Sequence, residues 1–170
     1  NGINLQDKIV TPSDETQIIV ADEGFSGLNQ VEVEPQETKP YKPRYISFQG
    51  SQQTELDQEI SLLDTSLMTQ FYETFYYCRR LTRLDLSNFN TNNITDMNSA
   101  FYSCVNLTSL NLSNFNTEKV TDMRSMFYGC SALTTLDLSS FHTPQLENIN
   151  ATFQNCRALT YLDIRNFDFS

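Results

Sequence analysis

Cys78, Cys104, Cys130 and Cys156 recur at one constant 26-residue interval, and that interval constrains the fold more than any other feature of the chain. Phe75, Phe101, Phe127 and Phe153 keep the same step. So do Leu81, Leu107, Leu133 and Leu159; Leu84, Leu110, Leu136 and Leu162; and Phe89, Phe115, Phe141 and Phe167. Five columns at one period, without insertions, make a repeat array. One such unit cannot bury its own apolar faces, so copies stack and share a continuous core.

Within a unit the apolar period switches once. "LTRLDLSNF" (Leu81 to Phe89) alternates around Leu84 and Leu86, the period-2 pattern of a strand buried on one face. "TDMNSAFYSC" then places Met97, Phe101 and Cys104 at i, i+4 and i+7, which predicts a short helix with Thr95 as its N-cap and Asp96 near its positive end. The predicted fold is an α/β solenoid, a right-handed leucine-rich repeat of about four 26-residue units, each a short parallel strand plus a short helix. Helices need more lateral room than strands at ~4.8 Å spacing, so the strand side is expected to be concave.

The array reaches upstream of its clear copies. Ile60, Met68, Phe71 and Phe75 lie one repeat period before Leu86, Ile94, Met97 and Phe101, so residues 44–77 read as a diverged cap and first unit, with "RYISF" as a covering strand, and 78–170 as the regular repeats. After the fourth clear strand the chain reaches Ser170 before another stripe, which predicts an uncapped edge. Residues 1–35 hold short β-rich runs ("KIVTP", "TQIIVA", "QVEVEP") between turn residues and read as a small β module. Residues 36–43 read as a proline-containing linker.

The formal net charge is −10, unevenly spread: residues 1–65 hold twelve acids and four bases, residues 66–170 nine acids and seven bases. Such a chain repels phosphate backbones, so nucleic acid is not an expected partner. No stretch approaches the ~18 apolar residues of a membrane helix. Serine, threonine and asparagine coat the second half, as suits an extracellular face.

The LxxLxLxxF strand followed by "TDMxxMFxxC" resembles the 26-residue leucine-rich repeat of BspA-like bacterial surface proteins, closely over 78–170 and loosely over 55–77. The resemblance implies an exported or surface-anchored bacterial protein whose repeats serve adhesion or partner binding. "IVTPSDETQIIVADEGFSGLNQVEVEP" is similar to a short β module of phage tail and bacterial surface proteins.

The cysteines lack the close C-x₂-C spacing of zinc and redox motifs. Each ends an apolar stripe, so buried structural thiols are favoured over a disulfide or a metal site. Packed helices at ~8–10 Å would also hold the thiols beyond disulfide reach. His142, the sole histidine, occupies an exposed corner without converging partners. Outward strand positions make three columns across the predicted concave face: Arg83, Asp85 and Ser87; Ser109, Asn111 and Ser113; Thr135, Asp137 and Ser139; Tyr161, Asp163 and Arg165. The middle, acidic column is tolerable in water without a bound cation; the face reads as a solvated surface, a contact surface for protein or glycan, or a calcium site. No nucleophile, base and orienter converge and no phosphate-binding loop occurs, so neither an enzyme nor a cofactor is expected. The expected function is a non-enzymatic surface or secreted binding module; the alternative is a structural part of a phage tail or secreted assembly.

Overall fold

The computed structural model describes residues 41–170, together with Ile9–Val10 and Ile18–Val20. Most of the β module expected over 1–35, and of the linker over 36–43, lies outside the described residues. The elements are β1 (Ile9–Val10), β2 (Ile18–Val20), β3 (Tyr45–Ser47), α1 (Asp57–Ser61), a 3-10 turn (Thr65–Leu67), β4 (Arg83–Asp85), β5 (Ser109–Asn111), β6 (Thr135–Asp137) and β7 (Tyr161–Asp163). β1 is antiparallel to β2, which is parallel to β3. Tyr41, at the described end of the linker, bridges Leu63 and accepts a hydrogen bond from Asp64 N at 2.8 Å.

The repeat period sets the strand register. Arg83 pairs with Ser109, Leu84 with Leu110 and Asp85 with Asn111; in the same way Thr135, Leu136 and Asp137 pair with Tyr161, Leu162 and Asp163. The alternation places Leu84 and Leu136 inward while Arg83, Asp85, Thr135 and Asp137 stay exposed. Among the described residues no strand ladder joins β5 to β6. Side chains bridge those units on this side, where Ser140 Oγ donates to Leu112 O and Ser131 Oγ to Val105 O, and backbone bonds such as Met123 N to Asn148 O join them on the opposite wall.

The helix expected at Met97–Cys104 does not form; the segment is a run of turns. Alternate amides cross to the next unit, with Met97, Ser99, Phe101 and Ser103 N donating to the carbonyls of Asp122, Arg124, Met126 and Tyr128. The amides between them close local turns, Ala100 N on Met97 O, Tyr102 N on Ser99 O and Cys104 N on Phe101 O. Ser99 and Ser103 sit at φ +54° and +57°, and Ser125 and Gly129 repeat this one unit later at +52° and +73°. A helix would keep every amide within its own segment; here half of them join the rungs. Thr95 is not an N-cap, and Asp96 Oδ1 instead accepts from Asn98 N at 2.8 Å, an Asx turn.

Curvature also loses its expected cause. The wall opposite the strands is itself hydrogen-bonded from rung to rung, with Tyr102 and Tyr128 rings 4.6 Å apart, whereas Phe115–Phe141 and Phe141–Phe167, at the strand corner, are 6.0 and 6.1 Å apart. No helical layer wider than the strand layer is present among the described residues to bend the strand face inward.

Phe48, Phe75, Phe101, Phe127 and Phe153 stack through the core at 5.4, 5.5, 5.5 and 5.8 Å. β3 covers this stack: Ile46 and Phe48 are fully buried, and Phe48 N donates to Thr74 O at 2.7 Å. Ile60, Met68, Phe71 and Phe75 are all buried, but the first unit departs from its successors because α1 stands where they have a strand. Glu59, one repeat period before Asp85, therefore lies on a helix and is largely buried, with burial raising its pKa.

Candidate functional site

The outward strand positions are brought together on one face, and their hydrogen bonds show what most of them do. Asp85 Oδ1 accepts from Ser87 N at 3.0 Å, Asn111 Oδ1 from Ser113 N at 3.0 Å and Asp137 Oδ1 from Ser139 N at 2.9 Å. The middle column thus holds the turn that ends each strand, an Asx motif that Asp and Asn serve equally. These bonds hold the carboxyls of Asp85 and Asp137 below the ordinary carboxylate range, Ser87 and Ser139 being the respective donors. At the last strand Asp163 is covered by its neighbours. Arg165 Nε and Nη2 reach its carboxylate at 2.9 and 2.6 Å, and Tyr161 Oη lies 3.4 Å away. The Arg165 bonds depress the Asp163 pKa. Arg83 pairs with Asp57 at 2.5 Å. Ser109, Asn111, Ser113 and Thr135 are left exposed, Ser139 half-buried, and Tyr161 is 49% exposed.

A second surface lies on the opposite wall. Tyr76, Tyr102 and Tyr128 stack at 4.9 and 4.6 Å, Tyr77 sits 5.7 Å from Tyr102, and Tyr45 stacks on Tyr72 at 4.8 Å. Tyr72 and Tyr77 are 39% and 38% exposed. Small residues at positive φ, Ser99, Ser103, Ser125 and Gly129, line the same wall. The sequence carries the signal, since Tyr76, Tyr102 and Tyr128 repeat at the period of the array, each beside a core phenylalanine. Helical spacing masks it, because the stripe that reads as one helix face contains each phenylalanine and leaves out the tyrosine beside it.

All four thiols are free. Each donates to the carbonyl of a phenylalanine one rung back: Cys78 to Phe48, Cys104 to Phe75, Cys130 to Phe101 and Cys156 to Phe127, at 3.0 to 3.2 Å. Burial pushes the Cys78 thiol up to about 12 and raises the other three as well. Helix spacing, the reason expected to keep the thiols apart, is absent; a directed hydrogen bond occupies each instead. His142 is exposed, and its carbonyl accepts from Thr117 Oγ1 at 2.7 Å. That bond belongs to a buried threonine column, Thr65, Thr91, Thr117 and Thr143, which ties the corners of successive units. Among the described residues no group of three or more His, Cys, Asp or Glu side chains is placed to hold a metal ion, and no helix is long and apolar enough to cross a membrane.

A family model described as "Mycoplasma protein of unknown function, DUF285" matches residues 45–170. No curated protein matches the chain, and no solved structure does.

Proposed function

This chain belongs to the family described as Mycoplasma protein of unknown function, DUF285, and we propose that its array is a right-handed leucine-rich solenoid acting as a non-enzymatic binding module at the bacterial cell surface or in secreted form. Its partner is a protein or glycan met by the strand face. The observation that carries the reading is the in-register stacking of outward strand positions on one exposed face, over a core in which cysteine and threonine are engaged in holding rungs together. Extended regular surfaces of this kind are what repeat arrays use for binding. The neutral Ser, Thr and Asn coating supports an extracellular setting. A second reading places the contact on the tyrosine wall, favoured by its two half-exposed rings, since tyrosine is enriched at binding interfaces.

An array of glycans and host surface proteins, probed with the wild-type chain, tests the proposal. Strand-face variants (Tyr161→Ala with Arg165→Ala) and wall variants (Tyr72→Ala with Tyr77→Ala) then assign the face. Failure of folded protein to bind any member of the array would sink the binding reading.

A further inference from the structure

Where α1 takes the place of a strand, a groove of about 330 Å³ opens between the first unit and the corner after β4, lined by Asp57, Ile60, Ser61, Leu63, Asp85, Asn88 and Phe89. Its lining is of two kinds. Ile60, Leu63 and Phe89 offer apolar surface, while Asp57 and Asp85 bring carboxylates to the same space. The Asp57 Oδ2 atom pairs with Arg83, but its Oδ1 is buried and has no hydrogen-bond partner. The Arg83 guanidinium that pairs with Asp57 also lies 3.9 Å from Glu55, so one cation is shared by two carboxylates before Asp85 is counted. Asp85 keeps its charge, since its Ser87 bonds depress its pKa.

We propose that this groove receives the Lys or Arg side chain of a partner polypeptide, its cationic head beside Asp57 and Asp85 and its aliphatic stem along Ile60, Leu63 and Phe89. The proposal rests on the strand face being a contact surface and names the partner's chemistry at one end of it. Complementarity of two kinds favours this occupant. A cation is favoured by the surplus of carboxylates, and long basic side chains bury their stems on apolar surface while keeping the head polar. A bare metal ion does not fit, because among the described residues a third carboxylate, His or Cys ligand is not placed with these two. The chain's net charge of −10 adds long-range attraction for a basic partner.

The test is an amide-shift NMR titration of the full chain with three capped residues, N-acetyl-lysine methylamide, N-acetyl-arginine methylamide and the neutral N-acetyl-norleucine methylamide, and with free cadaverine. Saturable shifts at Ser61, Leu63, Asp85, Asn88 and Phe89 are expected for the two basic probes, at least tenfold weaker for norleucine. Asp85→Asn should weaken the basic probes about three- to tenfold with the turn intact, because Asn111 holds the same turn one unit later. Asn88→Lys should abolish the shifts by placing a cation at the exposed rim. Equal binding of norleucine, shifts elsewhere on the surface, or tighter binding of cadaverine than of either capped residue would each overturn the proposal. A partner from the array that binds the strand face unchanged in both variants would overturn the groove alone and leave the strand-face reading standing.

Discussion

The thiol of Cys104 donates a 3.1 Å hydrogen bond to the carbonyl of Phe75, a residue 29 positions earlier and one rung down. The bond makes the cysteine a polar tie as well as a small core residue. The same pairing recurs in each clear unit.

That arrangement predicts slow thiols and a stability loss at high pH. Folding favours the neutral thiol, so the folded pKa lies above the unfolded one. The stabilising contribution is complete below the unfolded thiol pKa of about 8.5 and is lost as pH rises toward the folded value, about 12 for Cys78. Chemical denaturation at pH 7.5 and 10 should show a lower midpoint at pH 10, and the gap should narrow in Cys78→Ala. Thiol titration should count four free thiols after denaturation, with Cys156, the least buried, labelled first in the native protein. Fewer than four in a non-reducing sample would mean a disulfide and refute the account.

Phe127 lies between Phe101 and Phe153 in the core stack, at 5.5 and 5.8 Å, and is fully buried. Phe127→Ala should cost about 3–5 kcal/mol and, because each unit is stabilised through its neighbours, reduce unfolding cooperativity. Urea melts followed by two probes measure both effects.

Thr91 Oγ1 accepts from Asn116 N at 2.8 Å and donates to Asn116 O at 3.1 Å. Thr91→Val adds apolar surface to a buried site yet should destabilise by about 1–3 kcal/mol, since both backbone groups of Asn116 lose their partner. A neutral or stabilising result would show that water replaces the hydroxyl.

At Gly129 the backbone is left-handed, φ +73°, and an added Cβ would meet Ser103 Oγ at 3.3 Å. Gly129→Ala should cost about 1–2 kcal/mol from the left-handed penalty alone. Pairing it with Ser103→Gly, which removes the opposing hydroxyl and relaxes another positive φ, should recover part of the loss; thermal melts of the three variants decide.

On the strand face, Tyr161→Ala with Arg165→Ala should weaken a strand-face partner by about 2 kcal/mol or more, the scale of anchor residues. Glu118→Ala with Lys119→Ala, at an exposed corner, should change nothing measurable in the same titration. A corner pair that mattered more would put the contact elsewhere.

The core columns are legible in the sequence because burial leaves a periodic trace: Phe75, Phe101 and Phe127, and the cysteines and leucines beside them, are fully buried. The turn wall is not, because Met97, Phe101 and Cys104 satisfy helical spacing although alternate amides of their segment leave for the next rung. Propensity cannot separate these cases. The discriminating fact is that Ser99 N finds its acceptor at the Arg124 carbonyl, in the following unit. The replacement of the first strand by α1 is equally hidden, since Ile60 keeps its place in the buried column.

Because each rung of the turn wall finds its acceptors in the next, the chain counts in whole units. Deleting one residue between Met97 and Cys104 would shift the following donors of that rung against their acceptors in the next. Excising or duplicating a complete unit would rejoin equivalent edges and leave each junction as it was. A gene of this design can therefore lengthen and shorten by recombination between its own repeats, and its protein would tolerate that variation in reach better than it tolerates a single-codon slip.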